Sequence, residues 1–282
     1  MLEQITPLIL TYNEAANIGQ TLERLSWARQ IVVVDSFSDD KTLEVISQFP
    51  NARVVQRAFD THAAQINFGL TETGIVTEWV LALDADFVLT GALNDELGSL
   101  NPSAETKGYD AQLVYCVSGR TLRSSLLPRL VVLFRRAVAT YVQDGHTQRV
   151  QVAGAVEHLR STILHDDRKP FGRWLESQQR YMALEAKKII SANPRELNVA
   201  DRIRRLRLIA PLAVLFYCLV VRGGIFDGWA GVYYAFQRML AELLLSLYLL
   251  ESDFEEATNP RPSHVNLSNQ RERASVRRLN PS

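Results

Sequence analysis

The spacing of apolar positions changes several times along the chain, and each change marks a different kind of element. Pro7 to Leu10 reads as a strand, Asn13 to Ser26 carries helical spacing through Ile18, Leu22 and Leu25, and Ile31 to Val34 is a β-branched run ending at Asp35. A helix through Leu43, Val45 and Ile46 follows, with Asp39 or Asp40 placed to cap it. A strand at Arg53 to Gln56, a helix from about His62 to Leu70 and a strand from Trp79 to Leu83 continue the alternation. Alternation of this kind predicts an α/β class, with a parallel sheet and crossover helices. Between Tyr109 and Leu164 further strands are expected at Ala111 to Val117, Leu130 to Phe134, Val150 to Val156 and Ser161 to Leu164. A helix over Phe171 to Ile190 then carries an apolar stripe through Trp174, Tyr181, Leu184 and Ile189.

The character changes after Pro194. Arg202, Arg204, Arg205 and Arg207 lead into Leu208 to Val221, a 14-residue run without a charge, and a second apolar run spans Leu243 to Leu250. A membrane-spanning helix needs about 20 apolar residues, so the first run is too short to cross. A basic cluster followed by a short apolar helix has the form of an interfacial segment, with arginines meeting anionic head groups. Pro211 and the aromatics Phe216, Tyr217, Phe226, Trp229, Tyr233 and Tyr234 suit such an interface. The other reading is a buried helix pair covering the preceding domain. Three regions result: residues 1–195 as the main domain, 196–252 as a membrane-associating helical region, and 253–282 as a polar tail that is disordered or lies on the membrane.

Composition narrows the function. The 282 residues allow one large α/β domain with an appendage, and lysine plus arginine equals aspartate plus glutamate at 31 each, so no overall field points to nucleic acid. Cys116 and Cys218 lie far apart in apolar stretches, which excludes a disulfide framework and a cysteine zinc site and fits a reducing compartment. The first residues lack the basic and apolar segments of a signal peptide, so a cytoplasmic location is expected, peripheral on the inner face of the cell membrane.

The candidate chemistry centres on Leu83-Asp84-Ala85-Asp86, two carboxylates at i and i+2 directly after the apolar run Trp79 to Ala82. Carboxylate oxygens suit Mg2+ or Mn2+, and Mg2+ is usually held by one or two protein carboxylates with phosphates of a bound nucleotide completing the shell. Open parallel sheets bind ligands beyond the carboxyl ends of their strands. Thr11, Tyr12, Asn13 and Glu14 follow the first expected strand there, Asp35 and Ser36 the second, and Asp84 and Asp86 the fourth.

Together, Thr11-Tyr12-Asn13-Glu14, Val32-Val33-Val34-Asp35-Ser36 and Leu83-Asp84-Ala85-Asp86 resemble the inverting family 2 glycosyltransferases of GT-A fold, over roughly the first 90 residues. Arg222-Gly223-Gly224-Ile225-Phe226-Asp227-Gly228 resembles the segment that follows the transferase domain in bacterial members acting on lipopolysaccharide core and other surface polysaccharides. His165-Asp166, leading into Trp174 and Tyr181, resembles the close of the catalytic domain in the same subgroup. The resemblance implies a Rossmann-like nucleotide-diphospho-sugar transferase domain with C-terminal apolar helices. It also implies transfer from a nucleotide sugar, a UDP-sugar first, to a membrane-held glycan or lipid in envelope polysaccharide assembly, with Mn2+ or Mg2+ as cofactor and the cytoplasmic membrane surface as partner.

Residue by residue, the resemblance assigns metal coordination to Asp86 and His165, and contact with the ribose, or with the metal through water, to Asp84. Asp35 would bind the base, Thr11 and Glu14 the base or ribose, with Tyr12 and Asn13 between them also in the nucleotide-sugar site, and Gln65 and Asn67 would line the donor pocket. Inversion needs a general base. Related sequences carry His-Glu where this chain has Asp144-Gly145-His146-Thr147, which leaves Asp144 and His146 as candidate catalytic bases. Arg120, Arg123, Arg129, Arg135 and Arg136 are expected to gather around an acceptor loop, where a phosphorylated or lipid-linked acceptor would use them. The rivals are a catalytically altered membrane scaffold of the same fold, kept open by Thr147, and a nucleotidyltransferase. The latter expects a Gly-rich, basic phosphate loop after the first strand, and residues 11–14 supply neither.

Overall fold

The architecture is that of a computed structural model, which describes residues 1–258 apart from Gly145, His146, Pro194 and Glu196. Strands β1 (Ile5–Thr11), β2 (Ile31–Asp35), β3 (Ala52–Gln56) and β4 (Trp79–Asp84) alternate with helices α1 (Ile18–Glu23), α2 (Thr42–Ile46) and α3 (His62–Glu72), as the apolar pattern predicts. The remaining elements to residue 165 are β5 (Phe87–Leu89), α4 (Gly91–Ser99), β6 (Thr106–Val117), β7 (Arg120–Thr121), β8 (Arg129–Arg135), β9 (Ala139–Asp144), β10 (Thr147–Val152) and β11 (Ala155–His165). Four helices close the described chain: α5 (Phe171–Ser191), α6 (Val199–Arg204), α7 (Ile209–Phe216) and α8 (Trp229–Thr258).

One sheet runs in the order β3-β2-β1-β4-β8-β6-β11-β5, with β7 paired to β6, and β9 and β10 form a separate hairpin. The first four strands are parallel, while β8 lies antiparallel to both β4 and β6. Successive side chains of a strand face opposite sides of the sheet. Ile9, Val33 and Leu83 therefore pack with Ile18, Leu22, Ile46 and Leu93 from α1, α2 and α4, and Leu8, Val32, Val34 and Val80 pack with Ala63, Ile66 and Leu70 of α3. β-branched residues buried on both faces are what a central parallel strand requires.

Several expectations shift. The first helix begins at Ile18 rather than Asn13, because residues 13–17 are held in a loop by side-chain hydrogen bonds to residues 38–42. Asp40, not Asp39, accepts the Thr42 amide at the start of α2 (2.8 Å), while Asp39 pairs with Asn13. The expected strand Val150 to Val156 is two strands, divided at Ala153 and at Gly154, whose φ is +146°. Three of the five arginines expected around an acceptor loop serve the sheet instead. Arg129 pairs with Asp110 at 2.6 Å, Arg135 lies 4.7 Å over the Trp79 ring and bonds the Thr106 carbonyl, and Arg136 reaches the Leu70 carbonyl.

The Gly-Gly-Ile-Phe-Asp-Gly segment is a corner. Gly223 and Gly228 hold φ of +71° and +64°, backbone that glycine adopts without steric cost, and Asp227 accepts from the Ser124 amide (3.1 Å) and hydroxyl (3.0 Å). The corner ties α7 and α8 to the β7–β8 connection. A Cβ on Gly224 would stand 2.7 Å from the Cys218 carbonyl oxygen. Gly224→Ala is expected to lower unfolding stability by roughly 1–3 kcal/mol, read in denaturant titration, because the atom it meets is backbone. Gly91→Ala in α4, where nothing lies within 4 Å, is the matched control and should shift stability by less than about 1 kcal/mol.

Candidate active site

The register of the parallel strands brings the candidate residues together. Thr11 stands opposite Asp35, and Leu10 opposite Asp84, so the carboxyl ends of β1, β2 and β4 share one edge. β11 then pairs antiparallel with β5, placing His165 against Phe87, and the His165 Nε2 lies 3.0 Å from Asp86 Oδ2. The ring packs edge-on to Phe87 and Tyr115, with centroids 5.4 and 5.2 Å away. Thr21 of α1 donates to the Ala85 carbonyl at 2.8 Å and fixes the turn that carries both aspartates.

This edge collects negative charge out of water, and burial disfavours charge. Burial lifts the Glu14 carboxyl to about 7, with Asp86 adding to the rise and Lys169 opposing it. Burial and then the Asp86 charge bring Asp84 up to about 6. Asp86 itself is held below the ordinary carboxylate value, since His165 and Lys169 outweigh its burial. His165 responds in kind. Burial opposes its cation, but the charge and hydrogen bond of Asp86 raise it to about 9. Lys169 is likewise raised against burial, by Glu14, Asp167 and Asp86, and donates to Glu14 Oε1 at 2.6 Å.

Asn17 is wholly buried and ties this network together. Its amide donates to Glu14 Oε2 (2.8 Å) and Asp167 Oδ1 (3.0 Å), and its oxygen accepts from the Arg168 amide (2.9 Å). Sequence reasoning missed Asn17, Asp167 and Lys169. Asn17 sat inside an expected helix, where a polar residue reads as surface, but the run Asp166-Asp167-Arg168-Lys169 directly after His165 was a visible signal.

The other sequence candidates are nearby in different roles. Asp35 is fully buried and accepts from the Ser38 amide (2.9 Å), the Ser38 hydroxyl (2.5 Å) and Gln56 (3.2 Å). Asn13, at φ +55°, clasps Asp39 through both amide atoms. Gln65 joins Ser36 (2.9 Å) to the Arg57 carbonyl (3.1 Å), and Asn67 makes two hydrogen bonds to the Tyr141 backbone, at 2.9 and 3.0 Å. Tyr12 is half exposed beside them, whereas Thr11 is buried and its hydroxyl has no partner among the described residues. Asp144 ends β9 opposite Thr147, while its side chain and the whole of His146 lie outside the described residues.

Residues 8–110 match the family model for glycosyl transferase family 2. It is 30% identical to an uncharacterized glycosyltransferase of Rickettsia bellii over 141 residues, 49% of this chain and 46% of that one. The lipopolysaccharide core biosynthesis glycosyltransferase LpsC of Rhizobium meliloti is 24% identical over 257 residues, 82% of this chain and 89% of LpsC. The chain spans about half the length of the rickettsial relatives. Among solved structures, S. aureus TarS 1–349 in complex with UDP-GlcNAc overlaps 93% of this chain and 94% of its own at 14% identity and a TM-score of 0.43. Glucosyl-3-phosphoglycerate synthase from Mycobacterium tuberculosis, in complex with Mn2+, UDP and phosphoglyceric acid, overlaps 65% and 78% at 15% identity and a TM-score of 0.44.

The electrostatics generate a signed expectation. Glu14 binds its proton more tightly folded, near 7, than at the ordinary value of 4.5, so the native state holds more proton in between and its stability falls as pH rises through that window. In metal-free protein the wild type should lose stability between about pH 4.5 and 7 relative to Glu14→Gln, read as diverging thermal midpoints. Parallel curves for the two proteins would count against this account.

Proposed function

We propose that the protein is a metal-dependent inverting glycosyltransferase that moves a sugar from a nucleotide-diphosphate donor to a glycan or lipid acceptor held at a membrane, in envelope polysaccharide assembly. The carrying observation is the shared edge of β1, β2 and β4, with Asp84 and Asp86 at its centre and His165 bonded to Asp86. The donor is a UDP-sugar in the first instance. In the reaction the acceptor oxygen forms its bond to the anomeric carbon, the bond from that carbon to the diphosphate breaks with its electron pair, and the acceptor proton passes to a base, for which Asp144 and His146 remain the candidates.

Asp84 and Asp86 suit Mn2+ or Mg2+ in their donor chemistry. Asp86 Oδ1 is buried and unpartnered among the described residues. Among the described residues no group of three acidic, histidine or cysteine donors converges. Such an ion would neutralise charge on the departing diphosphate. The His165 ring would orient Asp86.

The membrane reading now rests on the apolar surface more than on the arginines. Arg204 is spent on Glu242 (2.8 Å) and Asp201 (3.1 Å), Arg205 on the Ile189 and Ala192 carbonyls, and Arg207 on Asp253. By contrast Leu212, Phe216, Ile225, Phe226, Trp229 and Phe236 are exposed together on α7, the glycine corner and the start of α8. No helix among the described residues is long and apolar enough to cross a membrane, so this face would lie in the interface. The likeness to LpsC, over most of both chains, supports the envelope setting.

Incubation with a panel of UDP- and GDP-sugars should give hydrolysis or transfer from one donor with Mn2+ or Mg2+, lost with EDTA and reduced about a hundredfold or more in Asp86→Ala. Silence toward every donor in both metals would leave a scaffold that has lost turnover. Phe226→Ser with Trp229→Ser should weaken cosedimentation with phosphatidylglycerol vesicles by about tenfold, since both rings would leave the acyl boundary.

A further inference from the structure

A cleft of about 640 Å³ opens beside the carboxylate edge, lined by residues of β6, the 167–169 turn, α5 and α8. Its size falls within the roughly 300–1,000 Å³ of small-ligand sites. Asp167 and Lys169 form the end nearest Asp86, and Trp174, Tyr233 and Gln237 form the wall built by the C-terminal helices. These walls are set by packing elsewhere: Met182, Ala186 and Ile189 of α5 interlock with Ala241, Leu245 and Leu249 of α8, and the Tyr234 ring packs tilted against Tyr115, with centroids 4.8 Å apart.

Gln237 is the unusual member. It is 6% exposed, it lines the cleft, and its carboxamide oxygen is buried with no hydrogen-bond partner among the described residues. A buried acceptor without a donor is destabilising, so the position calls for a ligand that supplies one. The cationic groups at the mouth are already matched. Arg168 pairs with Asp166 at 2.8 Å, and Lys169 with Glu14 at 2.6 Å, so the vacant need is for a neutral O–H rather than for an anion. Trp174 and Tyr233 add aromatic faces suited to the C–H side of a sugar ring, and Tyr233 is also 43% exposed, on the same stretch of α8 as the apolar surface residues Trp229 and Phe236.

From this juxtaposition we infer that the cleft is the acceptor subsite, and that Gln237 reads a hydroxyl of the acceptor glycan while Trp174 and Tyr233 hold its ring. The inference rests on the transferase reading for the word acceptor, but not for the binding itself. An acceptor anchored in the lipid beside Phe226 and Trp229 would enter the cleft past Tyr233 and meet the donor at the Asp167 end. Gln237 is thus a specificity residue for the acceptor and has no part in donor binding.

The test uses the full chain without nucleotide and the methyl glycosides of glucose, galactose, mannose and N-acetylglucosamine as probes, at millimolar concentration, followed through the Trp174 indole and Gln237 side-chain amide signals in NMR. At least one glycoside should shift both signals, and Gln237→Leu and, separately, Trp174→Ala should each weaken its binding by about tenfold, with Gln237→Glu retaining it. Donor hydrolysis should stay unchanged in Gln237→Leu. No shift with any glycoside, binding that survives both substitutions, or a loss of donor hydrolysis in Gln237→Leu would overturn the subsite. Failure of the transferase reading would be separate: glycosides would still bind the cleft while no nucleotide sugar is consumed.

Discussion

The structure is organised around carboxylates gathered where water is scarce. Parallel pairing aligns the ends of β1, β2 and β4, and the alignment that makes a ligand-binding edge also crowds Glu14, Asp84 and Asp86. Such an edge is tolerable only with compensating cations, and both arrive from far along the chain. His165 comes from the end of β11 and Lys169 from the turn beyond it. Asn17 spaces these charges with a neutral amide. The N-terminal half of the sheet is therefore electrostatically unfinished without the residues that follow position 160.

Local patterning carried β1, β2 and β4 because each is a continuous apolar run buried on both faces, and α1, α2 and α3 because each repeats apolar positions at helical spacing, signals that need no knowledge of partners. The placement of the candidate residues was legible to the same depth: Thr11, Asp35 and Asp84 lie at the ends of β1, β2 and β4, with Asp86 two residues beyond. What was not legible depends on pairing across distance. β5 is three residues long and exists as a strand because β11 lies beside it, and β9 is defined by its hairpin with β10. Charged side chains were the other blind spot. Arg129, Arg135 and Arg204 read as free surface cations in sequence, whereas each is consumed by a carboxylate or carbonyl that only the fold brings near.

The C-terminal helices have two unlike faces. One face is an ordinary core, where Ala210, Cys218, Ala230, Tyr234 and Ala235 are buried, and the other leaves aromatic and aliphatic side chains in solvent. The glycine corner makes this possible, because at Gly224 and Gly231 backbone approaches backbone too closely for a side chain, while Val214 and Leu215 of α7 pack with Ala230 and Tyr234 of α8 beyond it.

The sheet order has a further implication. The segment that matches the family model ends at residue 110, inside β6, yet β5 within that segment joins the sheet only through β11. The chain re-enters the sheet at β6 and β8, but the partner strand of β5 arrives only some 70 residues after it, so the stretch that matches the family model is not a unit that folding could complete alone. Homology and autonomy have different boundaries here: a shuffled or transplanted piece cut at the edge of recognisable similarity would carry the paired aspartates without the strand that holds them in place.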